Sequence, residues 1–177
     1  MLSPCDRALD VGCGDGVLTQ KLAPRAQHVT GIDSSPEMIA LARRDVSAEN
    51  VDFIEGDFLS TPLPVESFDF IVAVAVIHHM PFAAVIIRMA NLLRRGGVLA
   101  VVGLARNRSP VDYGVTALSA PVARIARLRR GWWDSPAVRI NPLMAYSEIR
   151  KAATDLLPGV EARRRLYFRY TLLWRKP

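Results

Sequence analysis

The sequence predicts a single α/β domain whose sheet begins parallel and closes with an antiparallel C-terminal hairpin, with helices on both faces to make three αβα layers. Three observations carry this reading. Apolar runs of strand length alternate with helical stretches through the first hundred residues, the mark of βαβ units. A glycine turn, LDVGCGDG (9–16), directly follows the first apolar run. Two strand-like segments, VEARRRL and YFRYTLLWR, end the chain close enough together to pair antiparallel.

RALDV (7–11) is the first strand; after the glycine turn, VLTQKLA (17–23) forms a short helix stopped by Pro24, and HVTGID (28–33) is the second strand. In SPEMIALARRD (35–45), Ser35 is placed as the N-cap, Pro36 at the first helical position where its missing N–H costs nothing, and Glu37 near the positive helix end. Met38, Leu41 and Ala42 then share one face. VDFIE (51–55) is the third strand, and FDFIVAVAVI (68–77) the fourth, so continuously apolar that both its faces are expected under cover. Pro81 opens a helix striped by Val85, Ile86, Met89, Leu92 and Leu93, ended by Arg94, Arg95 and Gly96-Gly97. VLAVVG (98–103) is the fifth strand. Residues 104–141 break the rhythm, with a helix expected near 111–130 and then GWWDSP, and are read as a cap insertion in one domain spanning 1–177. A helix near 143–156 and a turn at Pro158-Gly159 lead into the final hairpin.

At 177 residues, half of them apolar, the chain suffices for one sizeable core. Its two cysteines, Cys5 and Cys13, give neither a disulfide framework nor the paired spacing of a zinc site, so no metal is expected and a reducing, cytoplasmic setting is. MLSPCDR lacks the order of a signal peptide. The longest apolar stretches, at 70–77 and 98–105, fall short of the ~20 residues that span a bilayer, so no transmembrane segment is expected. The formal charge of +6 suggests a polyanion, but only three of the 23 basic residues are lysine (Lys21, Lys151, Lys176), an arginine skew of the kind coding bias produces.

In an open α/β sheet, ligands bind at the carboxyl ends of the strands where the strand order reverses. Gly12 and Gly14 are placed to adopt angles closed to other residues and let a ligand approach the main chain, Gly16 to bring helix and strand together. A dinucleotide fingerprint, G-x-G-x-x-G, would seat pyrophosphate on the helix N-terminus. Here the third glycine comes one residue early, and Asp10 and Asp15 add negative charge that favours a ligand carrying a cationic amine. Asp33, 19 residues after Gly14, stands near the ~20-residue spacing at which a carboxylate accepts from ribose hydroxyls, with helix capping as a competing role. Asp57, in EGDF, is placed to accept from the exocyclic amine of a base, with Phe58 and Met38 as apolar walls, or to serve only its turn. These features describe an adenosine pocket without phosphates.

LDVGCGDG, GIDSS, EGDF, FDFIVAVAVIHHM and LLRRGGVLAVV together resemble, in order, the motifs of class I S-adenosylmethionine-dependent methyltransferases of the small-molecule type, over about residues 7–103. The resemblance implies a Rossmann-like seven-stranded sheet, which the antiparallel tail fits, and S-adenosylmethionine as cofactor. It implies that Gly12, Gly14 and the flanking backbone hold the methionine part with Asp10 nearby. Asp33 would take the ribose hydroxyls, Ser34 and Met38 the adenine face, Asp57 and Phe58 the adenine amine and ring, and Ala73 the methionine part through its backbone. Members usually carry a helical lid before the glycine turn, and only eight residues precede Leu9. A truncated start, cover by 104–141, or cover by a partner subunit in a homodimer are the readings left open.

His78 and His79 follow strand four, on the family's reaction face, with packing as the competing role for each. Methyl transfer is an in-line displacement, so alignment and exclusion of water dominate. An oxygen acceptor also needs a proton removed, which an imidazole can do; His79 is the first choice of the pair. The asparagine/aspartate-proline-proline-aromatic motif of family members that methylate amino groups on nucleic-acid bases or glutamine is absent from VAVIHHM, and a small-molecule acceptor methylated at oxygen or carbon is the favoured expectation. Arg124, Arg127, Arg129 and Arg130 beside Trp132 and Trp133 keep an RNA acceptor, using 122–133, as the alternative, and the same segment suits a lipid surface. A catalytically inactive cofactor-binding subunit also stays open.

Overall fold

The computed structural model describes residues 5–106, 142–165 and 169–177. The first βαβ unit runs β1 (Cys5–Val11), α1 (Val17–Leu22), β2 (Ala26–Asp33), then α2 (Pro36–Asp45) and β3 (Val51–Glu55). The chain returns through β4 (Phe68–Val74), α3 (Phe82–Leu92), β5 (Leu93–Leu104), α4 (Tyr146–Leu156), β6 (Glu161–Arg164) and β7 (Arg169–Arg175). All seven strands form one sheet in the order β3-β2-β1-β4-β5-β7-β6. The first five are parallel to one another, and β7 inserts antiparallel between β5 and β6. This is the mostly parallel sheet, closed by a hairpin, that the sequence predicts.

Period-two alternation sorts the strands onto two faces. Leu9, Val11, Ile71, Ala73, Leu99 and Val101 join the main core with Val85, Ile86, Met89 and Leu92 of α3 and with Ile149 and Ala153 of α4. Ala8, Val29, Phe70 and Val72 face the other way, against Leu18 and Leu22 of α1. On α2, Ser35 caps as expected, its Oγ accepting from the Met38 amide at 3.3 Å. The buried centre of that helix is Ile39 and Ala42. Met38 and Leu41 flank it, half-buried. No helix among the described residues is long and apolar enough to cross a membrane.

Three boundaries differ from the sequence expectation. β4 stops at Val74 rather than Ile77, because Ala75 takes φ 55 and a short 3-10 turn over Ile77–His79 follows. β5 begins at Leu93, so the Arg94–Gly97 stretch belongs to the strand and not to a helix stop. There Leu93 pairs with Phe68 across a register shift, and Gly96 and Gly97 bond to Lys176. α4 starts at Tyr146, its entry fixed by the Glu148 carboxylate accepting from the Ala145 amide at 2.7 Å. The helix expected near 111–130 and the basic segment 122–133 lie outside the described residues.

Candidate functional site

Parallel register pairs Val11 with both Ile32 and Ala73, and Asp33 with Glu55, so β3, β2, β1 and β4 end side by side. The strand order reverses between β1 and β4, which opens a crevice at that edge. The glycine turn lies across it, with Gly12, Gly14 and Gly16 at φ 68, 55 and 79. The three have different surroundings. A Cβ on Gly12 would lie 2.3 Å from Val76 Cγ2, and one on Gly16 2.9 Å from Phe53 Cζ and Val46 Cγ2. On Gly14 it would meet nothing within 4 Å. Gly16 thus joins turn, α2 and β3 as the sequence suggests, Gly12 admits the chain leaving β4, and Gly14 faces open space.

The amides of the turn point inward. Those of Gly12 and Cys13 donate to the Ile32 carbonyl at 2.8 and 3.1 Å, and that of Gly16 to the Cys13 carbonyl at 3.0 Å. The Gly14 amide donates to Asp33 Oδ2 at 2.9 Å, while Asp33 Oδ1 accepts from the Ser35 amide at 2.9 Å. A pyrophosphate loop works by offering free N–H groups, and these are already bonded. Asp33 is a junction: its carboxylate ties the turn to the entry of α2, and its carbonyl accepts from the Gly56 amide at 2.9 Å. Both roles read from the sequence can coexist, since a carboxylate has more acceptor sites than these two amides fill.

Asp10 is sealed beneath α1, 1% exposed, its Oδ2 accepting from the Thr19 hydroxyl at 2.7 Å. Burial, above all, pushes its carboxyl up to about 6; the Thr19 bond pulls it down and the Asp33 charge pushes it further up. Cys13 is buried as a small turn residue, its thiol pushed up by burial and by the Asp10 and Asp33 charges. Ser34 is exposed and Met38 half-buried at the start of α2, beside Asp33. Asp57 is exposed; Oδ1 accepts from the Leu59 amide and Oδ2 from the Ser60 hydroxyl, both at 3.1 Å. The Phe58 ring, 4% exposed, turns into the core beneath the Arg88 guanidinium, so the structure groups it with α3 instead of with Met38.

Ala73 is fully buried in the last paired stretch of β4, its neighbours Val11 and Val101. Beyond it the left-handed Ala75, whose amide donates to the Val102 carbonyl at 2.7 Å, turns Val76 onto Gly12. Buried Ile77 anchors the 3-10 turn, which carries His78 and His79 with ring centroids 4.0 Å apart. His79 is exposed. His78 is half-buried, its Nδ1 sealed without a partner, and burial, then the neighbouring His79, lowers its pKa. The glycine turn, Asp33, Asp57 and the histidine pair therefore share one edge, while Asp10 and Phe58 support it from beneath.

Four contributors carry no role in the sequence reading: Thr19, Ala75, Val76 and Arg88. Thr19 alone had a signal, since a buried carboxylate needs a donor and α1 is otherwise apolar on its inner side.

A methyltransferase-domain family model matches residues 9–101, which run from β1 into β5. An uncharacterised methyltransferase of Mycobacterium bovis is 32% identical over 172 residues, covering 96% of this chain and 86% of that protein. A ubiquinone biosynthesis O-methyltransferase of Xylella fastidiosa is 41% identical over 102 residues, covering 54% of this chain and 40% of that protein. Among solved structures, the YcgJ protein of Bacillus subtilis superposes with a TM-score of 0.67 at 25% identity, covering 92% of this chain and 65% of its own. An S-adenosylmethionine-dependent methyltransferase of Aquifex aeolicus shares the fold, with a TM-score of 0.67 at 17% identity, over 98% of this chain and 83% of its own. With the five motifs in order on a β3-β2-β1-β4-β5-β7-β6 sheet, these matches settle the family. The chain belongs to the class I S-adenosylmethionine-dependent methyltransferases.

Proposed function

We propose that this chain holds S-adenosylmethionine across the carboxyl edge of β1, β2 and β3 and passes its methyl group to a small-molecule acceptor at oxygen or carbon. The observation that carries the reading is the inward bonding of the turn amides beside the open side of Gly14. Such a turn suits a ligand recognised by carboxylates and carbonyls, an adenosine with a cationic amino acid, and not a phosphate chain. Asp33 accepts the ribose hydroxyls with the lone pairs its two amide partners leave, Ser34 and Met38 flank the base, and Asp57 accepts the adenine amine. The Gly12 and Gly14 backbone and Ala73 flank the methionine part.

When bound, the cofactor supplies a methyl group on a positively charged sulfonium, open to in-line displacement. The chain's own part is to orient the acceptor and take its proton. His79, exposed on the 3-10 turn, is the base for a hydroxyl acceptor. The similarity to ubiquinone biosynthesis O-methyltransferases favours oxygen over carbon as the acceptor atom.

Calorimetric titration with S-adenosylhomocysteine tests the binding. Wild type binds it, and Asp33→Ala weakens binding by about tenfold or more, through loss of charged hydrogen bonds to the ribose and of the Gly14 anchor. Wild type that ignores this ligand and binds NAD would overturn the proposal. With a panel of phenolic acceptors and labelled cofactor, His79→Ala lowers turnover and leaves S-adenosylhomocysteine affinity unchanged; full turnover would return His79 to a packing role. Labelling of RNA in place of the phenols would move the acceptor to a different class.

A further inference from the structure

The turn that presents Asp57 is fastened at both ends. At one end the Gly56 amide donates to the Asp33 carbonyl at 2.9 Å. Thr61 folds back so closely that a Cβ on Gly56 would stand 2.4 Å from its hydroxyl oxygen. Inside the turn, the Ser60 and Thr61 amides donate to the Asp57 carbonyl at 3.2 and 2.9 Å. At the other end the Arg88 guanidinium donates from Nη2 to the Thr61 carbonyl. Its Cζ lies 5.4 Å from the centroid of the Phe58 ring.

Arg88 is an expensive residue for packing alone. It stands beside the buried α3 stripe of Val85, Ile86, Met89 and Leu92, its Nε is sealed without a partner, and among the described residues no carboxylate pairs with it. A half-buried guanidinium whose sealed Nε–H is unmet costs free energy that an apolar side chain of similar length would not. What the apolar side chain could not do is hold the Thr61 carbonyl and the Phe58 face at once. Both belong to the segment that begins at Asp57.

We infer that Arg88 is a positioning residue which, through Thr61 and Phe58, fixes the Asp57 carboxylate for the exocyclic amine of adenine and so sets the preference for that base. The inference rests on the reading of Asp57 as the amine acceptor. One amide donor, Leu59, and one hydroxyl donor, Ser60, hold the Asp57 rotamer within the turn, and Arg88 holds the turn against α3.

The full chain is titrated with S-adenosylhomocysteine and with S-inosylhomocysteine, which has a carbonyl where adenine has its amine. Wild type prefers the adenosyl ligand by about tenfold or more, the worth of one charge-assisted hydrogen bond. Arg88→Met brings that ratio close to one by weakening the adenosyl ligand, with the inosyl ligand changed by less than about threefold. Arg88→Lys keeps a donor for the Thr61 carbonyl and restores part of the ratio, and it decides the matter if the methionine variant fails to fold. Parallel weakening of both ligands, with the ratio kept, marks a merely structural arginine and overturns the inference. Wild type that binds both ligands equally removes the role of Asp57, and that of Arg88 with it; wild type that binds neither removes the cofactor proposal itself.

Discussion

At the amino-terminal edge of the sheet, Asp69 Oδ2 accepts from the Asp6 and Arg7 amides at 2.9 and 2.8 Å and from the Arg94 guanidinium, which also reaches Asp6 at 3.3 Å. Lys176 joins the Glu66 carboxylate at 3.0 Å to the Leu93 carbonyl at 2.8 Å, so β1, β4, β5 and β7 are sewn together there. At the carboxyl edge of the same strands the backbone is left-handed at Gly12, Gly14, Gly16 and Ala75, a carboxylate is buried at Asp10, and His78 Nδ1 has no partner. The amino edge has left-handed backbone at Gly96 (φ 74) and Glu66 (φ 48) and an unpartnered Arg94 Nε, but the Gly96 amide is bonded to the Lys176 carbonyl and Glu66 and Arg94 are in ion pairs. One edge joins its strands through ion pairs and bonded amides; the other keeps a left-handed alanine, a buried carboxylate and an unmet imidazole nitrogen at the strand ends that carry the proposed site.

The contrast breaks first at Gly12, where the carboxyl edge cannot tolerate a side chain. Gly12→Ala combines a Cβ at φ 68 with a clash on Val76, and costs about 4 kcal/mol in denaturant unfolding. Val76→Gly in the same chain, which also removes the Val76 Cβ that would stand 2.6 Å from the new side chain, recovers the steric share and leaves about 1–2 kcal/mol of backbone penalty relative to Val76→Gly alone. Simple additivity of the two single changes would mean that Val76 gives way without cost.

Asp10 supplies the next effect, and its sign is set by burial. Its ordinary carboxyl value of 3.8 rises to about 6 in the fold, so between these values the folded chain keeps a proton the unfolded chain has lost. The stability held below 3.8 is lost as pH rises through about 6, roughly 3 kcal/mol in all. Asp10→Asn still accepts from Thr19 and carries no charge. It is therefore more stable than wild type by up to about 3 kcal/mol near pH ~7.5, with the gain gone near pH ~3.5. A gain independent of pH would show that Asp10 ionises without hindrance in the fold.

Asp69→Ala sharpens the other side. It removes an acceptor for two amides and a guanidinium and lowers stability by about 2 kcal/mol, partly offset by water at this half-exposed edge. S-adenosylhomocysteine affinity stays at the wild-type value. A loss of affinity equal to that of Asp33→Ala would erase the division between the edges.

The division follows what the sequence could and could not disclose. Strand identity, the parallel-to-antiparallel order and the spacing of Asp33 behind Gly14 are properties of neighbouring residues or of chain period, and they are legible as written. The Ser35 cap and the α3 stripe are legible for the same reason. Val76 on Gly12 and Arg88 on Thr61 are tertiary meetings with no local pattern to announce them, and Thr19 on Asp10 is announced only by a buried carboxylate's need for a donor. Phe58 shows the cost: EGDF places it next to Asp57, so it is expected at the base, yet an aromatic ring beside the α3 stripe gains more from the core. The early start of β5 was hidden likewise, because Gly96-Gly97 reads as a helix stop until Lys176 is beside it.

Ala75 gives the smallest effect and the most discriminating one. At φ 55 its Cβ costs about 1–2 kcal/mol, which glycine removes, while glycine's larger unfolded-state freedom returns about half of that. Ala75→Gly should thus stabilise the fold by about 0.5–1 kcal/mol, read from the denaturation midpoint. The same freedom loosens the hinge between β4 and the turn that bears His78 and His79, so turnover falls as stability rises. Opposite movement of the two quantities means that alanine is held in a left-handed conformation because it stiffens the approach to the reaction face. If turnover is unchanged, the strain at residue 75 is only a by-product of bringing Val76 over Gly12, and the carboxyl edge owes its irregularity to packing.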